Sequence, residues 1–268
     1  MKTTKPLLIL AIAASSVAAI STSCSSMKNM DMARLGSAIT KSQQAMSLSN
    51  KEVAEYVHAA VAKMDAENKV APASSPYTKR LNKLTQNIKS VNGMPLNFKV
   101  YITDDINAFA CADGSVRVYT GIMDMMTDDE LLGIIGHEIG HVANEDSKDA
   151  FKQALLNSAL ADAIGSTSAS VAQLTDGQLG QLAQALVSSK YSRKQESEAD
   201  DYGYDFLRQH GRNPYNMVLA FEKMQKLEQQ SANQMTGALA NAFSDHPDTA
   251  QRIKNMKARC QADGFTRP

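Results

Sequence analysis

The chain has 268 residues, 43% of them hydrophobic, with 28 Lys and Arg balanced by 28 Asp and Glu. That length supports one sizeable core or two small ones, and one globular domain is the simplest expectation. Balanced charge excludes the basic footprint of a nucleic-acid-binding protein and offers no polybasic patch to anionic lipid.

At the start, Lys2 and Lys5 precede the apolar run PLLILAIAASSVAAI, which is short for a bilayer span and is followed by STSC. This order predicts a secretory signal peptide over residues 1–23, a buried N-terminal helix being the plainer alternative. Cys24 then stands where bacterial lipoproteins carry their acylated cysteine, and ISTSC resembles a lipobox, with Ser21 where Leu is usual. Acyl chains on Cys24 would anchor the chain, since each buried CH₂ contributes about 0.8 kcal/mol. The alternative is cleavage after Ser23 and release. By the same resemblance Ser25, in place of an Asp, implies an outer-membrane address. Residues 24–48 have no clean period and read as a tether, and residues 49–268 as the folded domain.

Ser49 with Glu52 is a capping-box signature, followed by Val53, Tyr56, Val57, Ala60 and Val61 at helical spacing. Ser75 before Pro76 opens a second helix through Leu81, Leu84 and Ile88, which Asn92-Gly93 is expected to close. LNFKVYI and NAFACADGSVRVYTG are short β-branched and aromatic runs, the second broken by Asp113-Gly114, and predict a hairpin in a sheet of about three strands. Thr127 with Glu130 caps the next helix, and Asp128 and Asp129 favour its positive end. Residues 147–190, rich in Ala, Ser, Leu and Gln, read either as a helical insertion over or near a cleft or as ordinary core-packing helices. A helix from Ser192 to His210 stops at Gly211, and Pro214 opens another to about Gln229. SANQMTGALANAFSDHP reads as a loop or short helix before a last helix through Arg259. Beyond the leader no apolar stretch reaches the ~18 residues of a membrane span.

With Cys24 set aside, Cys111 and Cys260 are an even pair in an oxidising compartment, which allows either a disulfide or two buried free thiols.

The chemistry lies in GIIGHEIGHVANED, residues 133–146. Residues four apart share a helix face, so His137 and His141 can direct two imidazoles at one ion, while Glu138 is rotated towards the ion's water and suits a general base. Two histidines satisfied by hydrogen bonds are the plain alternative. Gly136 and Gly140 cost about 1 kcal/mol each in a helix interior, which predicts something packed closely on this helix, naturally a second helix. A catalytic zinc needs a third protein ligand. SRKQESEAD offers Glu196 and Asp200 on one helix face; its spacing permits Glu196 to bind metal and Asp200 to accept from a ligating histidine, although such a charge run is usually a solvated face.

HEIGH at 137–141 followed by ESEAD at 196–200 resembles the HtpX and CAAX-prenyl-protease family of zinc metallopeptidases, within the gluzincins and nearest its periplasmic lipoprotein branch. The likeness runs from about Ala71 to Asp263. It implies an α+β, mainly helical zincin-like domain with the small sheet beside the active-site helix. It also implies one Zn²⁺ per chain held by His137, His141 and Glu196, with Glu138 as base and Asp200 supporting a ligand. The family's later HPxxxxR pattern recurs as His246, Pro247 and Arg252, implying a histidine that can fill zinc's open position and an arginine that can stabilise an oxyanion. From the residues alone, His246 reads as a loop histidine and Arg252 as a solvated charge. The resemblance further implies that Asn107, Ala108, Phe109 and Ala110 form an edge strand that pairs with an extended substrate. His58 and His210 read as structural.

The expected activity is zinc-dependent hydrolysis of peptide bonds in misfolded or misassembled envelope proteins, by an outer-membrane lipoprotein facing the periplasm. The rival from another class is a zinc-containing periplasmic chaperone or outer-membrane assembly factor with latent or no proteolysis. The sequence carries no signal for oligomeric state.

Overall fold

The computed structural model describes residues 47–157, 171–232, 246 and 248–268. The signal peptide, Cys24, the tether to residue 46, residues 158–170 of the insertion, the 233–245 segment and Pro247 lie outside the described residues.

Helix α1, Asn50–Glu67, starts at Ser49 with the expected reciprocal capping box to Glu52. Helix α2, Pro76–Thr85, is capped by the Ser75 side chain, which accepts from Tyr77 N. It ends before Ile88, earlier than its sequence pattern suggests. The reason is that Asn92 and Gly93, at φ 48° and 80°, form the turn between strands β1, Ser90–Val91, and β2, Met94–Pro95. Positive φ at both central residues is the primed geometry that suits hairpin twist, so Asn92-Gly93 closes a hairpin and not a helix.

Strands β3, Asn97–Tyr101, β4, Ala108–Ala110, and β5, Ser115–Tyr119, form the main sheet in the order β3-β5-β4. β4 and β5 are the hairpin expected around Asp113-Gly114, with Ala108 opposite Val118 and Ala110 opposite Val116. Gly114 sits at φ 85°, and a Cβ there would come within 2.1 Å of Pro95 O, so the turn requires glycine. β3 joins β5 in parallel, which makes β5 central and leaves β4 at the sheet edge.

After the sheet come α3, Thr120–Met125, α4, Asp128–Ala143, α5, Asp146–Asn157, a 3₁₀ turn at Val171–Gln173, and α6, Asp176–Val187. Then follow α7, Arg193–Gln209, α8, Tyr215–Ala232, and α9, Thr249–Ala262. The architecture is the mainly helical α+β fold expected from the sequence.

Strand alternation divides the apolar residues between two cores. Val100, Ala108, Ala110, Val116 and Val118 face a core shared with α4, α7, α8 and α9. Tyr101, Phe109 and Cys111 face a second core with Val57, Phe151 and Leu182 from α1, α5 and α6. The described helices of 147–190 therefore pack on α1, and Lys63 of α1 meets Asp176 of α6 at 2.5 Å. The same division decides the cysteines. Cys111 belongs to one core and Cys260 to the other, so both remain buried free thiols and the disulfide does not form. Burial raises the Cys260 thiol to about 11.

Helix α4 is the centre of the molecule, every residue from Glu130 to Val142 being buried. Leu131, Ile135 and Ile139, each at most 1% exposed, contribute about 1.5–3 kcal/mol apiece through burial. No helix among the described residues is long and apolar enough to cross a membrane.

Candidate metal centre

Helix α4 is fixed at its start by a capping box in which Thr127 N donates to Glu130 Oε2 at 2.7 Å, and Lys223 of α8 pairs with that carboxylate at 2.5 Å. Two turns on, His137 and His141 project from one face, 2% and 0% exposed. Their partner is α7, as the glycine pattern led one to expect. A Cβ on Gly136 would lie 2.7 Å from Phe206 Cδ1, one on Gly140 3.1 Å from Ala199 O, and one on Gly203 of α7 3.0 Å from His137 N. Glycine on both helices permits this approach, which carries Glu196 and Asp200 of α7 to the two histidines.

His137 Nε2 and His141 Nε2 lie 3.2 Å apart, and His246 Nδ1 is 3.3 Å from His137 Nε2. Glu196 Oε1 is 2.9 Å from His246 Nδ1 and 3.6 Å from His141 Nε2. One ligand atom from each of these four residues falls within 4.8 Å of the others. Asp200 Oδ1 lies 2.9 Å from His137 Nδ1, and Asp146 Oδ2 lies 2.9 Å from His141 Nδ1. Each Nδ1 thereby faces a carboxylate, which leaves the two Nε2 atoms facing one another. Two imidazole nitrogens at 3.2 Å need a positive charge between them, either a proton shared along the contact or a metal ion.

The electrostatics draw positive charge to the same place. Burial opposes charge on His141, yet Asp146 and Glu196 outweigh it and raise the group to about 9. Burial also opposes ionisation of Glu196, but His246, His141 and Arg252 hold its carboxyl far below the usual carboxylate range. His137 is pushed down, first by burial and then by Arg252. Glu196 Oε2 is buried without a hydrogen-bond partner; Arg252 Nη1 approaches it at 2.8 Å as an ion pair, out of hydrogen-bonding alignment. Two nitrogens each about 2.05 Å from one tetrahedral ion sit roughly 3.3 Å apart. The spacing, the Glu196 oxygen without a hydrogen bond and the His, His, Glu donor set all fit a divalent ion.

Glu138, 4% exposed, lines a cavity of about 20 Å³ with Ile106, Asn107, Ala108, His137 and His246. That is room for about one water. Arg252 also reaches this cavity, but its guanidinium is held from behind, with Nε 2.8 Å from Asp200 Oδ2 and Nη2 2.5 Å from Asp200 Oδ1, over the Phe221 ring at 4.3 Å. It joins Asp200 to Glu196 through two ion pairs.

Of the expected edge strand, Ala108, Phe109 and Ala110 form β4 and Asn107 leads into it. Tyr119 N donates to Asn107 O at 3.0 Å and Cys111 N to Ser115 O at 2.8 Å, so residues 107, 109 and 111 turn their main chain to β5. Ala108 and Ala110 turn theirs outward, where Ala110 O accepts from Ser147 Oγ at 3.1 Å. Neither His58 nor His210 approaches the site. The His58 side chain is 79% exposed beside Asp113, and His210 Nδ1 bonds Phe206 O at 2.8 Å at the end of α7.

Two residues at the site had no sequence signal of their own. Asp146 reaches His141 because the chain reverses directly after α4, through Glu145 at φ 64°. Tyr191 stacks flat on His141, ring centroids 3.8 Å apart and planes at 11°. The five-residue gap between His141 and Asp146 would have found the first only with that reversal known.

Comparison with known proteins accords with this geometry. The pattern of Peptidase family M48 matches residues 77–260. The chain is 42% identical over 255 residues to Metalloprotease LoiP of Escherichia coli (strain K12), covering 95% of this chain and 97% of the relative. It is 39% identical over 260 residues to Metalloprotease YcaL of the same strain, covering 97% and 98%. A more distant relative, a Protease HtpX homolog of Salinibacter ruber (strain DSM 13855 / M31), is 27% identical over 231 residues, covering 75% of this chain and 81% of that one. A catalytic-type donor set buried beside a glutamate, on a chain so matched, makes this protein a metallopeptidase belonging to peptidase family M48.

Proposed function

We propose that this metallopeptidase is a zinc-dependent endopeptidase of the bacterial cell envelope that hydrolyses misfolded or unassembled envelope proteins. The observation that carries the reading is the convergence of His137, His141 and Glu196 beside the buried carboxylate of Glu138. Those three residues hold the ion, with Asp200 and Asp146 fixing the imidazoles through their outer nitrogens. Zinc bound there supplies Lewis acidity and brings the pKa of water towards about 7. Glu138 takes the proton of the attacking water and returns it to the leaving amine. An extended substrate lies along β4, pairing with the outward main chain of Ala108, so recognition rests on backbone more than on side chains. This suits unfolded chains as substrates.

The envelope address rests on residues 1–24, a leader followed by Cys24 as the acylated anchor on the outer membrane. Metabolic labelling with palmitate is expected to mark the parent and not Cys24→Ser; an unlabelled parent would contradict the anchor.

A second reading, a latent enzyme that assists assembly, is favoured by His246, whose Nδ1 stands 3.3 Å from His137 Nε2, nearly the 3.2 Å that separates the two ligand imidazoles. As a fourth donor it would close the position that water needs. One experiment separates the two. Purified protein is incubated with a urea-unfolded outer-membrane barrel protein, with and without chelator. Fragments that disappear with chelator, and fall roughly 10²–10⁴-fold in Glu138→Gln with zinc still bound, support the peptidase. Stoichiometric binding without fragments, turned into cleavage by His246→Ala, supports latency.

A further inference from the structure

Tyr191 has none of the roles assigned above at the metal group, yet it makes the flattest ring contact at the site. Its ring lies 3.8 Å from that of His141 with planes at 11°, and 5.6 Å from that of His246. The residue directly precedes Ser192, the N-cap of α7, whose side chain and that of Gln195 form a reciprocal capping box. In that numbering Tyr191 is the residue before the cap and Glu196 is the fourth helical residue. These two positions normally carry an apolar pair that pack on each other and set the angle at which the chain enters a helix. Here the fourth position is the carboxylate of the metal group, and the aromatic residue packs on the imidazole of another helix instead.

The consequence is mechanical. His141 rides on α4 and Glu196 on α7. Close packing through Gly140 and Gly203 brings the helices together, but it does not set how α7 begins. The stack of Tyr191 on His141 bears on the residue just before the Ser192 cap, and a ring lying flat on that imidazole opposes its rotation about the bond to Cβ. Upstream, Tyr191 follows α6, which is anchored in the second core through Leu182 and Ala183. A ring held from that side cannot drift freely.

We infer that Tyr191 is a positioning residue of the metal centre: its ring, stacked on His141, locks the start of α7 so that Glu196 and the two imidazoles are aligned for one ion. This rests on the metallopeptidase reading above. The requirement is for a flat ring and not for the hydroxyl.

The test uses the full chain and three variants, Tyr191→Phe, Tyr191→Leu and Tyr191→Ala, with zinc and cobalt(II) as probes. Zinc affinity is measured by competition with a chelator, and the visible absorption of the cobalt-loaded protein reports ligand geometry without any substrate. Tyr191→Phe is expected to match the parent in both. Tyr191→Leu, which fills space without a planar face, is expected to bind zinc about 10- to 100-fold more weakly, as for loss of other groups that orient ligands, and to shift the cobalt spectrum. Tyr191→Ala is expected to do the same more strongly. Parent-like affinity and spectrum in Tyr191→Leu would overturn the inference, and so would equal losses in the Phe and Leu variants. If the parent itself binds no zinc, the functional reading fails first, which is a different result from variants that bind as the parent does.

Discussion

The two faces of the central sheet each carry a buried cluster of charge, and the two are built on opposite principles. Towards α1, Arg117, 2% exposed, makes four hydrogen bonds: Nε and Nη2 to Asp65 at 2.8 and 3.0 Å, and Nη1 to Asn97 O and Val116 O at 2.9 and 3.0 Å. Asp65 also accepts from Tyr101 at 2.6 Å and Lys99 at 2.7 Å. Every partner is present, and the cluster is complete as it stands. Towards α4, the Nε2 atoms of His137 and His141 face each other at 3.2 Å and Glu196 Oε2 finds no hydrogen bond. A buried cluster that satisfies itself is structural, and one that is short of a single cation is a binding site.

Removing a member of the complete cluster should therefore cost folding and spare the metal. Asp65→Ala leaves Arg117 buried without its counter-charge and is expected to lower the free energy of unfolding by about 3 kcal/mol, read by denaturant titration, with zinc affinity unchanged. Weaker zinc binding at unchanged stability would reverse the assignment of the two faces.

Removing support from the incomplete cluster should do the opposite. Asp146→Ala frees the outer nitrogen of His141 and is expected to weaken zinc binding about 10- to 100-fold while the unfolding midpoint of the metal-free protein moves little. An unchanged zinc affinity would show that the 2.9 Å contact does not orient the ligand.

The smallest effect is the response to acid. Burial opposes ionisation of Asp65, but Arg117, Lys99 and Tyr101 prevail and hold its carboxyl below the usual aspartate value. A carboxyl with a depressed folded-state pKa adds stability that is fully present above the unfolded value, about 3.9, and is lost as pH falls through the folded one. The stability gap between the parent and Asp65→Asn should then narrow progressively as pH drops below about 4, measured at fixed ionic strength. A gap that widens on acidification would contradict the pairing.

How much of this was legible in the sequence depended on whether the signal was local. Capping boxes at Ser49 and Thr127 set two helix starts because cap and partner lie three residues apart. Gly136 and Gly140 announced a close helix neighbour because glycine inside a helix needs a reason, and α7 is that neighbour. Asn92-Gly93 misled because the same dipeptide can stop a helix or turn a hairpin, and only pairing of β1 with β2 decides. At the site, His137, Glu138 and His141 were readable from helix periodicity, and Glu196 and Asp200 from their four-residue spacing. His246 and Arg252 were visible only through family likeness, since nothing in DHPDTAQR distinguishes them from a loop histidine and a surface charge. The contacts of Asp146 and Tyr191 with His141 were not visible, because they depend on how the chain folds back on α4, which the residue types do not encode. The same holds for the parting of Cys111 and Cys260 between two cores.

The central claim is that α4 and α7 meet so that His137, His141 and Glu196 grip one ion. Zinc titration of the purified metal-free chain, beside Glu196→Ala, tests it most directly. The account predicts one tightly held zinc per parent chain and its loss in the variant, which keeps its helical content; no tight zinc in the parent, or the same affinity in both proteins, would contradict it.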